Sequence, residues 1–191
     1  MGNREKLLEI AAERFARNGY RATSVDDILK AAAVAPSNFY YHFPSKEALA
    51  SEVLERYFDC ARKETAPLLA NRRLRAREKL EQMFALFTRR LAESDCCVGC
   101  PMSHLAQELS DTHPGFREKI AEFFEEWTEG LEAAVRQGVR DGELRADLDP
   151  RAAACLVVGL IQGLVLLSRN TRNLDAANKG FRQALILLGK P

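Results

Sequence analysis

Three thiols fall within five residues in Cys96-Cys97-Val98-Gly99-Cys100, and His104 follows one helical turn after the last. Cys97 and Cys100 have the C-x-x-C spacing of redox pairs. A helix is expected to begin just beyond them, where its dipole lowers a thiol pKa. Three readings compete: small buried residues without special chemistry, a thiol switch or electrophile-reactive thiolate that senses a reactive effector, or a zinc site. Zinc needs four ligands, and beside Cys97, Cys100 and His104 only Cys96 and His113 stand near enough in the chain. No metal or cofactor is expected on balance. Ser103, His104 and Asp111 suggest a hydrolase at first sight. Neighbours on a helix point about 100° apart, so Ser103 and His104 cannot pair as nucleophile and base. Neither a glycine-rich phosphate loop nor a nucleophile elbow is present. Catalysis is not expected.

A second stretch, residues 23–47, carries a different chemistry. It reads as two short helices joined by a tight turn, and the second, from Pro36, bears hydrogen-bonding and aromatic side chains where a surface helix would carry Glu and Lys. A helix lying in a DNA major groove needs such side chains. From Ile28 to Lys46 there is no Asp or Glu, so phosphates would meet no repelling carboxylate. The chain as a whole has a net charge of only +1, which argues against a non-specific DNA coat and leaves room for a specific reader with a local patch.

Helices must position both features. With 47% hydrophobic residues in 191, the chain can bury a sizeable core. Period-2 alternation is scarce and helical periodicity is nearly continuous, so the expected class is all-α with about nine helices. The first runs from about Arg4 to Asn18, with Asn3 as N-cap, Leu8, Ala12 and Phe15 inside and Gly19 as the stop. Ser24 and Asp27 form a capping-box start for the second, which turns inward Val25, Ile28, Leu29 and Ala32. Pro36 opens the third, which ends at Phe43 because Pro44 disfavours a helical predecessor. Ser45 caps a fourth from Lys46 to about Thr65, ending before Pro67. Others are expected near 74–93, 101–110, 114–140, 150–168 and 175–188. The expected division is residues 1–46 as a head and 47–191 as a body.

The head resembles the DNA-binding head of the TetR family of bacterial transcriptional regulators. Thr23, Val25, Ile28, Ala32, Val34, Phe39, Tyr40, Phe43, Ser45, Lys46, Glu47 and Leu49 match its pattern in register, preceded by Phe15, Gly19 and Tyr20. Ala33 departs from it, standing where the family usually has Gly in the turn, so this residue must keep φ negative or bear strain. Ala35 and Ser37 replace the family's Ser and second Gly. The resemblance implies that Thr23 and Ser24 take a phosphate at a helix N-terminus. It also implies that Pro36, Ser37, Asn38 and Tyr41 project into the groove, with Asn38 suited to an adenine edge. Tyr40, His42 and Lys46 would then hold phosphates. Phe39 and Phe43 are read as core.

In the body, residues 149–168 are apolar on all sides and therefore need burial on all sides. About 16 apolar residues interrupted by Gln162 are short for a bilayer, so no membrane span is expected. A helix packed on its own core by one face and on a partner subunit by the other fits better. Leu156, Gly159, Gly163 and Val165, with Phe181, Leu185 and Leu188 of the last helix, form the expected dimer seam; the resemblance implies a four-helix interface. A two-fold dimer would set two reading helices on half-sites of a near-palindromic double-stranded operator. Phe84, Phe87, Cys100, Met102, His104, Leu105, Phe123 and Trp127, with Gln107 and Glu108 as further polar groups, form either plain core or a mainly apolar pocket. The resemblance implies a small-molecule effector there. Five cysteines, an odd number, and no secretory apolar run fit a cytoplasmic protein. The expected function is a TetR-like repressor released by an apolar or electrophilic effector. A thiol or zinc enzyme and a helical protein-interaction module are the alternatives.

Overall fold

A computed structural model describes residues 2–97 and 100–190. Val98 and Gly99, inside the thiol motif, lie outside the described residues. The described residues form α1 (Asn3–Asn18), α2 (Val25–Ala32), α3 (Pro36–His42), α4 (Lys46–Ala70), α5 (Ala76–Glu93), α6 (Pro101–Leu109), α7 (Pro114–Arg140), α8 (Pro150–Thr171) and α9 (Asp175–Leu188). The only β pairing among them is an isolated antiparallel bridge between Leu144 and Gly189. The all-α expectation holds.

Local signals explain most boundaries. At α2, Ser24 Oγ accepts from the Asp27 N–H and the Asp27 carboxylate accepts from the Ser24 N–H, so the capping box forms. Pro36 is the first residue of α3, and Phe43 before Pro44 is extended at φ −134°. Ser45 Oγ accepts from the Ala48 N–H to start α4. Three expectations fail. The N-cap of α1 is Gly2 rather than Asn3, and Ala12 is only half-buried because Leu7, Leu8, Ala11 and Phe15 form the inner stripe. Pro67 does not end α4, which runs on to Ala70. Pro67 and the residue one turn earlier, Lys63, are both exposed, so the proline interrupts the helix on a face open to water, where a carbonyl without its helical donor costs least.

The residues separate into two compact units. The first comprises Met1–Cys60 and Cys100–Ile120, the second Ala61–Gly99 and Ala121–Pro191. The first unit is therefore not the linear segment 1–46, since α6 packs on α1 beside the contacts of α1 with α2 and α3. Its core is built by Leu7, Leu8, Phe15, Ile28, Phe39, Phe43, Leu49 and Leu54.

In the second unit α8 and α9 pair and both pack on α5. The Phe84 and Phe181 rings stack 4.5 Å apart and 5° from parallel. A Cβ on Gly180 would stand 2.6 Å from the Leu164 methyls, so glycine lets α9 approach α8 closely there. The length and mean hydropathy of α8, 1.9 over its most apolar stretch, would by composition suffice to cross a membrane. It nevertheless has two unlike faces. Ala154, Val157, Ile161, Val165 and Ser168 are buried, whereas Leu156, Leu166 and Leu167 are exposed, as are Ile186 and Leu187 on α9. The seam expectation needs correction accordingly. Val165, Phe181 and Leu188 lie in the subunit's own core and Leu185 is half-buried. Leu156, Gly159 and Gly163 remain on the open face.

Candidate nucleic-acid interface

Seven residues make α3, and two aromatic rings fasten it to the unit beneath. Phe39 is fully buried, and it lies 5.9 Å from the ring of the equally buried Phe43. The opposite face is left to solvent: Tyr41 is 82% exposed and Tyr40 61%. Pro36 and Ser37 are exposed, and Asn38 and His42 are half-buried. The Tyr41 and His42 rings meet edge to face at 4.9 Å. Apolar rings normally leave water when they can. Holding two at the surface of a rigid, carboxylate-free helix leaves them available to a partner.

The start of α2 is otherwise than expected. Thr23 is 1% exposed and its hydroxyl donates to the Gly19 carbonyl at 2.8 Å, so it is closed to a phosphate. Ser24 is exposed, but its hydroxyl donates to Asp27 at 2.6 Å and its N–H is taken by the same carboxylate at 3.0 Å. The cap that starts the helix uses the donors that an anion would need.

Lys46 also serves the frame. Its ammonium donates to the carbonyls of Tyr20 at 2.9 Å and Thr23 at 2.8 Å and lies 4.1 Å from the centre of the Tyr20 ring. Burial pushes its pKa down, against a smaller upward pull from Glu108. Two of its three donors are therefore committed inside the unit, which corrects its expected role as a phosphate contact. Glu108 reinforces the same loop. Its carboxylate accepts from the N–H of Tyr20 at 3.0 Å and of Arg21 at 2.6 Å, and its carbonyl accepts from the Arg21 guanidinium at 3.0 Å. Expected among pocket groups, Glu108 instead closes the corner between α1 and α2. Nothing in the local pattern marks it, because its partners stand 87 and 88 residues away.

The second unit has a cleft of about 300 Å³ between the last turns of α4 and the middle of α7, with Arg62, Thr65, Ala66, Leu69, Phe123, Glu126, Trp127, Gly130 and Ala133 among its walls. Of the expected pocket residues, Phe123 and Trp127 line it. The Phe87 ring stands 5.5 Å from that of Trp127, whereas Phe84 is engaged with Phe181. Cys100, Met102, His104 and Leu105 belong to the first unit, where all but the half-buried His104 are buried, and they are not walls of this cleft. Sequence spacing missed Arg62, Thr65, Leu69 and Gly130, because α4 reads there as an ordinary mixed surface helix.

The thiols do not have the expected electrostatics. Cys96 is 3% exposed, and burial, followed by the Asp95 charge, pushes its pKa up. It sits in a turn with Asp95 and Cys96 both left-handed, at φ 50° and 53°, and its carbonyl accepts from the Arg172 guanidinium at 2.9 Å. A helix dipole therefore does not govern Cys96. Cys97 is half-buried and Cys100, the N-cap of α6, is buried. Among the described residues no three His, Cys, Asp or Glu side chains converge as metal ligands would.

A three-helix head with an open, aromatic second helix in its helix-turn-helix defines a DNA-binding protein class. Comparison with known proteins narrows it. Residues 7–53 match the model of the bacterial regulatory proteins of the tetR family, and residues 76–185 match the tetracyclin repressor-like C-terminal domain. The transcriptional repressor DhaR of a Mycobacterium species is 29% identical over 170 residues, covering 89% of this chain and 84% of its own. The repressor KstR2 of Rhodococcus jostii is 34% identical over 155 residues, covering 80% and 72%. A solved TetR regulatory protein from Rhodobacter sphaeroides superposes with a TM-score of 0.87 at 24% identity, over 96% of this chain and 97% of that one. The chain belongs to the tetR family of bacterial regulatory proteins. It is accordingly a DNA-binding transcription regulator, of a family that is not an enzyme family.

Proposed function

We propose that the protein is a homodimeric, cytoplasmic repressor that holds a near-palindromic operator and releases it when an apolar effector enters the body. The observation that carries the reading is Tyr41, 82% exposed on a helix pinned from behind by Phe39. Ser37, one turn before it, and Asn38 supply hydroxyl and amide groups for base edges, and Pro36 an apolar contact for a thymine methyl. Tyr40 and His42 flank these as phosphate contacts that fix register. The repressor names of DhaR and KstR2 support the sign of regulation. The exposed leucines of α8 and α9 support a two-fold seam, because an apolar face of this kind is stable in water only when covered.

Such an effector acts by binding one conformation better than the other. Sensing by Cys96, Cys97 and Cys100 is the weaker version of this reading, since burial pushes the Cys96 pKa up, away from the thiolate that reacts. The test is retardation of the DNA upstream of the protein's own gene. Wild type is expected to retard it at low salt, with affinity falling steeply as salt rises. Tyr41→Ala should weaken binding by about tenfold or more, the scale of one lost base contact, with an unchanged thermal midpoint. Unchanged affinity in that variant would remove α3 as the reading element.

A further inference from the structure

The turn that joins α2 to α3 breaks two local rules within three residues. Ala33 stands at φ 52° in the left-handed region, where glycine is the usual occupant because a Cβ is strained there. Ala35 is the N-cap of α3 and makes no side-chain hydrogen bond to the helix it starts. Ser, Thr, Asp and Asn are favoured at such positions because their oxygens accept from the first N–H groups. Both choices cost stability, and burial does not offset it, since Ala33 and Ala35 are exposed. Each leaves a methyl group at the surface.

Those methyls line a shallow dish of about 380 Å³ whose walls include Leu29, Val34 and Pro36. Its two charged residues, Asp26 and Lys30, are opposite in sign. Pro36 also opens α3, so the dish continues the exposed face on which Tyr41 stands.

No fixed charge lies on that face. From Ala31 to Ser45 there is no Arg or Lys, and the Lys46 ammonium is engaged by the Tyr20 and Thr23 carbonyls. Arginine or lysine on guanine O6 and N7 is the commonest specific contact in a major groove, and α3 has no such group to offer. It has Asn38, whose amide matches the N6 and N7 edge of adenine. Ser37, Tyr41 and His42 supply single polar groups, which leave the base unchosen. Carbon surface beside them has one distinctive target among the bases, the thymine C5-methyl group.

We infer that the chain selects A·T pairs under α3: thymine methyls enter the dish against Ala33, Ala35 and Pro36, and Asn38 pairs with adenine. The inference rests on the DNA-reading role of α3 proposed above and deepens it by naming the bases. The probe is a duplex library with a random core, from which the full-length protein retains its preferred sequences. The retained half-sites are expected to carry contiguous A·T pairs and no required guanine. In the most tightly bound duplex, deoxyuridine in place of those thymines removes only the methyls. Affinity should then fall about fourfold for each, the worth of one buried carbon.

Ala33→Gly/Ala35→Gly removes both protein methyls, and glycine suits a left-handed residue and is tolerated at an N-cap. This variant should keep a thermal midpoint no lower than wild type, bind the thymine duplex more weakly and lose most of its preference for thymine over uracil. Equal binding of thymine and uracil duplexes by wild type, an undiminished thymine preference in the variant, or retained sites held by guanine would overturn the inference while leaving α3 as the reading element. A library from which nothing is retained at low salt would overturn the DNA-reading role of α3, and the inference with it.

Discussion

Arg21 and Glu108 are joined twice: the Arg21 N–H donates to the Glu108 carboxylate at 2.6 Å, and the Arg21 guanidinium donates to the Glu108 carbonyl at 3.0 Å. A residue of α6 thereby holds the corner from which α2 departs. The corner is also crowded, since a Cβ on Gly19, which sits at φ +89°, would stand 2.3 Å from a Glu108 carboxylate oxygen.

These facts set up a double-mutant cycle. Glu108→Ala leaves two backbone N–H groups without their charged acceptor and should cost about 1–3 kcal/mol in urea unfolding. Gly19→Ala should also cost more than 1 kcal/mol, from both backbone strain and the collision. With Glu108→Ala already present, the added cost of Gly19→Ala should shrink to the backbone part. Simple additivity would show that the two residues do not touch.

Ala33 lies at φ 52°, ψ 47°, a left-handed position between α2 and α3 that costs an L-residue about 1 kcal/mol. Ala33→Gly should therefore stabilise the protein by about 0.5–1 kcal/mol net of the entropy that glycine adds to the unfolded chain. The urea midpoint should rise with no change in slope. A lower midpoint would show that the methyl group contributes packing that outweighs the strain.

Acid should loosen the first unit. The bond from Arg56 holds the Glu5 carboxyl below its usual value of 4.5, and the Ser24 hydroxyl and N–H hold Asp27 below 3.8. A lowered native pKa means that the unfolded chain binds the proton more readily. The stabilisation is thus complete above the unfolded pKa and is lost as pH falls through the native one. Thermal midpoints measured from pH 6 down to pH 3 should drop below about pH 4.5, and less steeply in Glu5→Gln. Parallel curves would exclude the Glu5–Arg56 pair as a source of the slope.

Substitutions on the two faces of α9 should act on different properties. Leu187→Glu, on the exposed face, should leave the chain folded and reduce its mass in light scattering to that of a monomer, because a charge cannot be buried unpaired in an apolar seam. Phe181→Ala, which removes the ring stacked on Phe84, should instead cost about 3–5 kcal/mol of stability. A Leu187→Glu protein that keeps the dimer mass would move the seam elsewhere.

Local chemistry made much of this legible in the chain. The Ser24–Asp27 box, Pro36 at the start of α3 and Pro44 after its end are short-range devices, and each acts within a turn of its own position. Helical periodicity likewise exposed Phe39 and Phe43 as inward and Tyr41 as outward. Pro67 misled because its cost depends on whether the released carbonyl finds water, a matter of exposure rather than of order along the chain.

By itself, then, the sequence determined the helical class, the short helix that begins at Pro36 and its open aromatic face, since periodicity, caps and proline geometry act over a few residues. The tertiary structure alone decided that Lys46 and Glu108 serve the frame, that Phe181 belongs to the subunit core while Leu187 does not, and that Arg62 and Gly130 join Trp127 in a cleft. Hydrogen bonds and packing between residues far apart in the chain depend on which faces meet. That choice is made by burial summed over the whole molecule, and no short stretch of residues contains it.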